Sequence, residues 1–128
     1  MSGMLRAERV VRNQIFFRRV NEQIRAIADA LSDPLDEAAA RFEILCECVD
    51  GRCLTRVSLS GDEYEAVRRD PVAFAVAAGH EVISIERVVR RNERFAVVVK
   101  FHPEPMQKAT DLDPRSADNG AAHAATPR

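Results

Sequence analysis

Three cysteines fall within one short stretch, LCECVDGRC from Leu45 to Cys53, and a histidine follows a glycine at Gly79-His80. Thiolate sulfur and imidazole nitrogen are the donors zinc takes in tetrahedral sites, at about 2.3 Å and 2.0 to 2.1 Å. Cys46, Cys48, Cys53 and His80 make a complete set of four. With every position filled by protein, no place remains for a water, and such a zinc would be structural rather than hydrolytic. Cys46 and Cys48 alternate on one side of a strand. Cys53 returns after the turn signal Asp50-Gly51, and His80 arrives from a later loop. Glu81 or Asp50 would suit the other ring nitrogen of His80, and His102 is the reserve ligand.

The same thiols admit two other readings. Free cysteines are often small buried hydrophobes. A redox sensor or thiol enzyme needs instead an accessible thiolate of depressed pKa, here Cys53 or Cys48. A cysteine nucleophile also needs a histidine base and a group to orient it, and no Ser-His-Asp, G-x-S-x-G, Gly-rich phosphate loop or H-E-x-x-H pattern accompanies these residues. The chain reads as a non-enzyme.

The elements that must position the site are those of one small α+β domain. At 128 residues the core is thin, and a metal tether or self-association is a natural supplement. Nineteen basic against twenty acidic residues leave a net charge of -1, which gives no overall steering toward nucleic acid or anionic membrane. An odd cysteine count, no secretory signal and no apolar run of about 18 residues point to reduced thiols, no membrane span and a cytoplasmic protein.

The spacing predicts a long amphipathic helix within 1–34, its apolar stripe formed by Val10, Phe17, Val20, Ile24, Ile27 and Leu31. Asn13 fills the missing stripe position, where a buried Asn fixes the register of paired helices. Glu8 with Arg12, Arg18 with Glu22 and Arg25 with Asp29 stand four apart and neutralise one another. The stripe either packs on the domain's own sheet or pairs with a second copy or another protein. Ser32-Asp33-Pro34 ends the helix, and 35–40 reads as a helical linker.

Residues 35–102 read as a small zinc-binding domain with a mainly antiparallel sheet of three to five strands and one short helix. From Phe42 the period becomes two, with Phe42, Ile44, Cys46 and Cys48 on one side and Glu43, Leu45 and Glu47 on the other. A second run follows from Cys53 to Leu59. Ser60-Gly61-Asp62-Glu63 is a capping box that opens a helix of two to three turns, with Tyr64 and Val67 inward, closed by Asp70-Pro71. Strands are expected at 74–78, 82–90 and 94–101. The Pro- and Ala-rich stretch 103–128 reads as a disordered tail.

Five segments carry a resemblance: ERVVRNQIFFRRVNEQI at 8–24, LCECVDGRC at 45–53, LSGDEYEAVRRDP at 59–71, GHE at 79–81 and ERVVRRNERFAVVVK at 86–100. In these the chain resembles a group of uncharacterised small actinobacterial proteins. The resemblance implies that the three cysteines and His80 form one metal-binding motif, and it implies no activity.

Function is expected from these features to be that of a zinc-binding interaction or regulatory module, its N-terminal helix contacting a protein partner or a second copy. A nucleic-acid-binding regulator using Arg6, Arg9, Arg12 and Arg19 on phosphates, and a thiol-based redox sensor or enzyme, are the alternatives.

Overall fold

The computed structural model describes residues 2–31 and 41–115, with side chains from residue 9 onward. It is an α+β fold. A long helix α1 (Ser2–Leu31) precedes an antiparallel pair β1 (Arg41–Leu45) and β2 (Arg56–Ser60). Helix α2 (Gly61–Arg68) leads to a three-stranded antiparallel sheet of β3 (Ala73–Ala77), β4 (Glu86–Arg91) and β5 (Phe95–Lys100), in the order β3-β5-β4. Helix α3 (Pro103–Asp111) closes the described chain.

The local signals work as their chemistry requires. Ser60 accepts a hydrogen bond from the Glu63 amide at 3.1 Å, and the Glu63 carboxylate accepts from the Ser60 amide at 2.8 Å. This reciprocal cap satisfies two amides that the first turn of α2 would otherwise leave open. Tyr64 and Val67 then point inward and are buried. In β3 all five residues, Ala-Phe-Ala-Val-Ala, are buried, because both of its faces are covered.

The two sheets meet just after β1. The Glu47 amide donates to the Ala75 carbonyl at 2.9 Å, and the Ala75 amide donates back to the Glu47 carboxylate at 2.9 Å. Glu47 therefore points inward and is fully buried, contrary to the outward side that strict alternation assigns it. Strand β1 ends at Leu45, so alternation no longer governs the next residues.

Helix α1 packs on β1 and α3, but only in part through its apolar stripe: Phe17 is buried and Ile24 packs against the core, whereas Ile27 and Leu31 are exposed. Its buried residues are Val11, Gln14, Phe17, Arg18 and Asn21, a face turned by about 100°, one residue step, from the stripe. Gln14 donates to the Glu47 carbonyl, Asn21 to the Leu45 carbonyl and the Glu47 carboxylate, and Arg18 to the carbonyls of Pro71 and Ala109. Polar side chains thus complete backbone groups that no strand reaches. Arg18 does not pair with Glu22, which accepts instead from Tyr64 and Arg115, whereas Arg25 and Asp29 do pair at 3.5 Å.

Residues 103–115 correct the expectation of a disordered tail. Proline at the start of α3 suits a first turn, where the missing amide costs nothing. Ala109 is buried, and Arg115 ties the end of the segment to Glu22 and Glu65. Ion pairs and one small residue anchor the segment, a mode that counting apolar residues overlooks. The linker at 35–40 and the remaining tail, 116–128, lie outside the described residues.

A pH test follows from the helix cap. Arg94 donates to both Glu63 oxygens at 2.9 and 2.6 Å. These bonds first, and the Ser60 amide after them, draw the Glu63 carboxyl down to about 2 against the opposing effect of its partial burial. A depressed carboxyl pKa stabilises the fold above the ordinary carboxyl range, and that stability is lost as pH falls toward 2. In urea melts, Glu63→Gln should be less stable than the parent above about pH 5, with the gap closing toward pH 2.

Candidate metal centre

Each candidate ligand is placed by a local device. The Cys46 amide donates to Thr55 across the hairpin, which extends the β1 and β2 pairing by one step. In the loop, Asp50 Oδ1 accepts from the Arg52 amide at 2.9 Å and the Asp50 carbonyl accepts from the Cys53 amide at 3.0 Å. That Asx turn reverses the chain and returns Cys53 toward Cys46. Asn13 of α1 braces the same turn, since a Cβ on Gly51 would stand 2.6 Å from its amide nitrogen.

His80 is brought in by a second turn. Its amide donates to the Ala77 carbonyl at 2.9 Å, and Gly79 between them has φ +91°, a conformation that favours glycine. The Ala77 amide donates to Cys46 Sγ at 3.1 Å, so the end of β3 and the first sulfur are joined directly.

The result is a compact cluster. The ligand atoms of Cys46, Cys48, Cys53 and His80 all lie within 4.8 Å of one another. Cys46 and Cys48 are buried, and Cys53 and His80 half-buried. His80 Nδ1 is 3.5 Å from Cys46 Sγ and 3.6 Å from Cys53 Sγ. A tetrahedron with one imidazole and three thiolates at zinc distances has a nitrogen-to-sulfur edge of about 3.6 Å. Donor set and spacing therefore fit a tetrahedral cation, and all three cysteines are free thiols rather than a disulfide.

Sulfur acidity is divided unequally within the cluster. The hydrogen bond between the Cys46 and Cys48 sulfurs favours the thiolate on Cys48, drawing its pKa down to about 5, and His80 acts in the same direction. The same hydrogen bond, then burial, pushes Cys46 up. Metal binding requires deprotonated thiols, so a cation entering here would have to displace the proton that Cys46 holds more firmly than Cys48.

Of the expected supporting residues, Glu81 and Asp50 lie near the cluster but direct their carboxylates elsewhere. Glu81 accepts from the Gly79 amide and Arg91, and Asp50 from the Arg52 amide. His102, the reserve ligand, is exposed against the Phe101 ring at 4.5 Å and is not among the cluster.

The residue that sequence reasoning missed is Glu47, which lies between the first two ligands. Arg68 donates to both its oxygens at 3.0 and 2.6 Å, and Asn21 adds a bond at 2.7 Å. Burial would lower the Arg68 pKa, but the Glu47 charge and hydrogen bonds raise it on balance. The only available sequence signal was a lone acidic residue in an otherwise apolar run.

Comparison of the chain with family models, curated proteins and solved structures finds no match, so the site's own geometry carries the functional argument.

Removing one partner from a buried ion pair typically costs about 3 to 5 kcal/mol, because the other charge is stranded. Glu47→Ala should lose stability of that order in chemical denaturation, far more than Glu63→Gln. If Glu47 only filled space, Glu47→Gln would rescue the loss fully.

Proposed function

We propose that the protein is a non-enzymatic interaction module held together by one structural zinc ion. The observation that carries this reading is the closed set of three sulfurs and one ring nitrogen within 4.8 Å. Three thiolates favour zinc over the hard cations that prefer oxygen, and four protein donors leave no site for a reacting water. The zinc would fix the 46–55 loop and the 77–80 turn onto each other, a tether suited to so thin a core.

The contact surface we assign is the outer face of α1, which meets a second copy of the chain. Phe16, Ile27 and Leu31 are 58 %, 60 % and 80 % exposed, and Val20 between them is half-buried. Phe16, Val20, Gln23 and Ile27 follow gaps of four, three and four, the seam spacing of paired helices. Asn13 lies against Gly51 of the cysteine loop rather than on the outer face, so the polar seam position there is Gln23. Removing α1 altogether would also remove Gln14, Arg18 and Asn21 from the interior, so the surface is better tested by single substitutions.

Two measurements test the reading separately. Protein purified without added metal should carry about one zinc per chain by mass spectrometry, and Cys46→Ser and His80→Ala should each lose it along with thermal stability. A folded protein without bound metal would exclude the zinc tether. In light scattering coupled to gel filtration, the parent should run as a dimer and Ile27→Lys with Leu31→Lys as a monomer that still holds zinc. A monomeric parent would exclude the helix surface while leaving the metal centre in place.

A further inference from the structure

A second built feature lies away from the cysteines. Glu86 and Lys100 face each other across the β4 and β5 ladder, both almost fully buried, with Lys100 Nζ 3.1 Å from Glu86 Oε1. The carboxylate serves more than the lysine. Its Oε1 also accepts from Gln14 at 3.4 Å, and its Oε2 from the Val82 amide at 3.1 Å. An ammonium group has three hydrogens to donate, and Glu86 accepts only one bond from it. The lysine thus retains donor capacity while its counter-charge is shared among three groups.

Lys100 lines a cleft of about 450 Å³ between Val10 of α1, Ile85 and the start of α3. The walls are Val10, Ile85, Pro103 and Pro105, with the exposed His102 and Glu104 completing the lining. Pro103 and Pro105 have no amide hydrogens, so the first turn of α3 presents ring carbons to the cleft rather than a row of donors. Among the described residues, a largely apolar cleft of this size with one buried cation and, besides it, only His102 and Glu104 as polar side chains matches the general form of a small-molecule site. Glu104 disfavours a ligand carrying several negative charges.

We propose that this cleft binds a small monocarboxylate with an apolar body, its carboxylate on Lys100 Nζ and its chain along Val10, Ile85, Pro103 and Pro105. Burial lowers the lysine's pKa, with Glu86 opposing the fall. A ligand carboxylate would add a second anion beside the ammonium and favour its charged form. The cleft is independent of the metal centre and of the outer face of α1.

The test uses octanoate and octanol as probes on the full chain, followed by amide NMR. Octanoate should shift the amides of Val10, Ile85 and Lys100 saturably, and octanol should bind at least about tenfold more weakly, the loss of one charge-assisted hydrogen bond. Ile85→Trp, which fills the cleft, should abolish the shifts with zinc content unchanged. Lys100→Met with Glu86→Gln, a pair that strands no charge, should reduce octanoate to the level of octanol. Equal binding of the two probes would overturn carboxylate recognition, and absent shifts, or shifts that survive Ile85→Trp, would overturn the site. Should the double variant fail to fold, the probe comparison and Ile85→Trp decide between these outcomes.

Discussion

The bonds between Glu47 and Arg68 are the constraint on which the remaining structure depends. Both side chains are essentially removed from solvent, at 0 % and 1 % exposure, so neither charge has water to fall back on. A buried pair of this kind contributes little net stability over an apolar substitute, but it tolerates almost no alternative arrangement. Here it fixes α2 against the residue between Cys46 and Cys48. Asn21 and the Ala75 amide complete the carboxylate's acceptors, which brings α1 and β3 to the same point. Three elements, α1, α2 and β3, are thus aligned by one side chain.

The cation site builds on that alignment. Cys46, Glu47 and Cys48 are consecutive, so a metal on the two sulfurs would restrain the same three residues that Arg68 already holds through the carboxylate. Loss of the cation would free the sulfurs but leave Glu47 bound, and loss of Arg68 would leave the sulfurs tethered beside a stranded charge. The two restraints would then be coupled through the backbone rather than by direct contact, and their effects would not simply add.

Much of this was legible in the residues alone. The capping box at Ser60 and Glu63, the strand from Phe95 to Lys100 and the gathering of three cysteines with His80 are short-range chemistry, and each appears where its pattern places it; the one-faced burial that alternation implies for that strand does not hold, since Ala96, Val98 and Lys100 are buried as well. The face of α1 was not legible. Apolar periodicity marks which residues avoid water, but Gln14, Arg18 and Asn21 are buried to satisfy carbonyls of segments remote in sequence, and no local pattern encodes those partners. Glu47 was hidden for the same reason, its partners lying on three other elements. The helix at Pro103 was missed because its anchors are Arg18 and Arg115, charged residues that sequence reading assigns to the surface.

That mode of docking bears on what α1 can do. A helix fixed by apolar packing alone must turn its apolar stripe inward and has nothing left to offer a partner. This one adds directional bonds from Gln14, Arg18 and Asn21 to the apolar packing of Val11 and Phe17, so the apolar residues at 16, 27 and 31 stay outside without loosening the helix. The arrangement separates two tasks that compete on most amphipathic helices. Internal attachment draws on hydrogen-bond geometry as well as on Val11 and Phe17, and the exposed apolar residues are free for the association proposed above. The division also limits variation on the inner face, since Gln14, Arg18 and Asn21 each leave a buried carbonyl unpaired if truncated. The outer face carries no such obligation, and its identity can change without disturbing the fold.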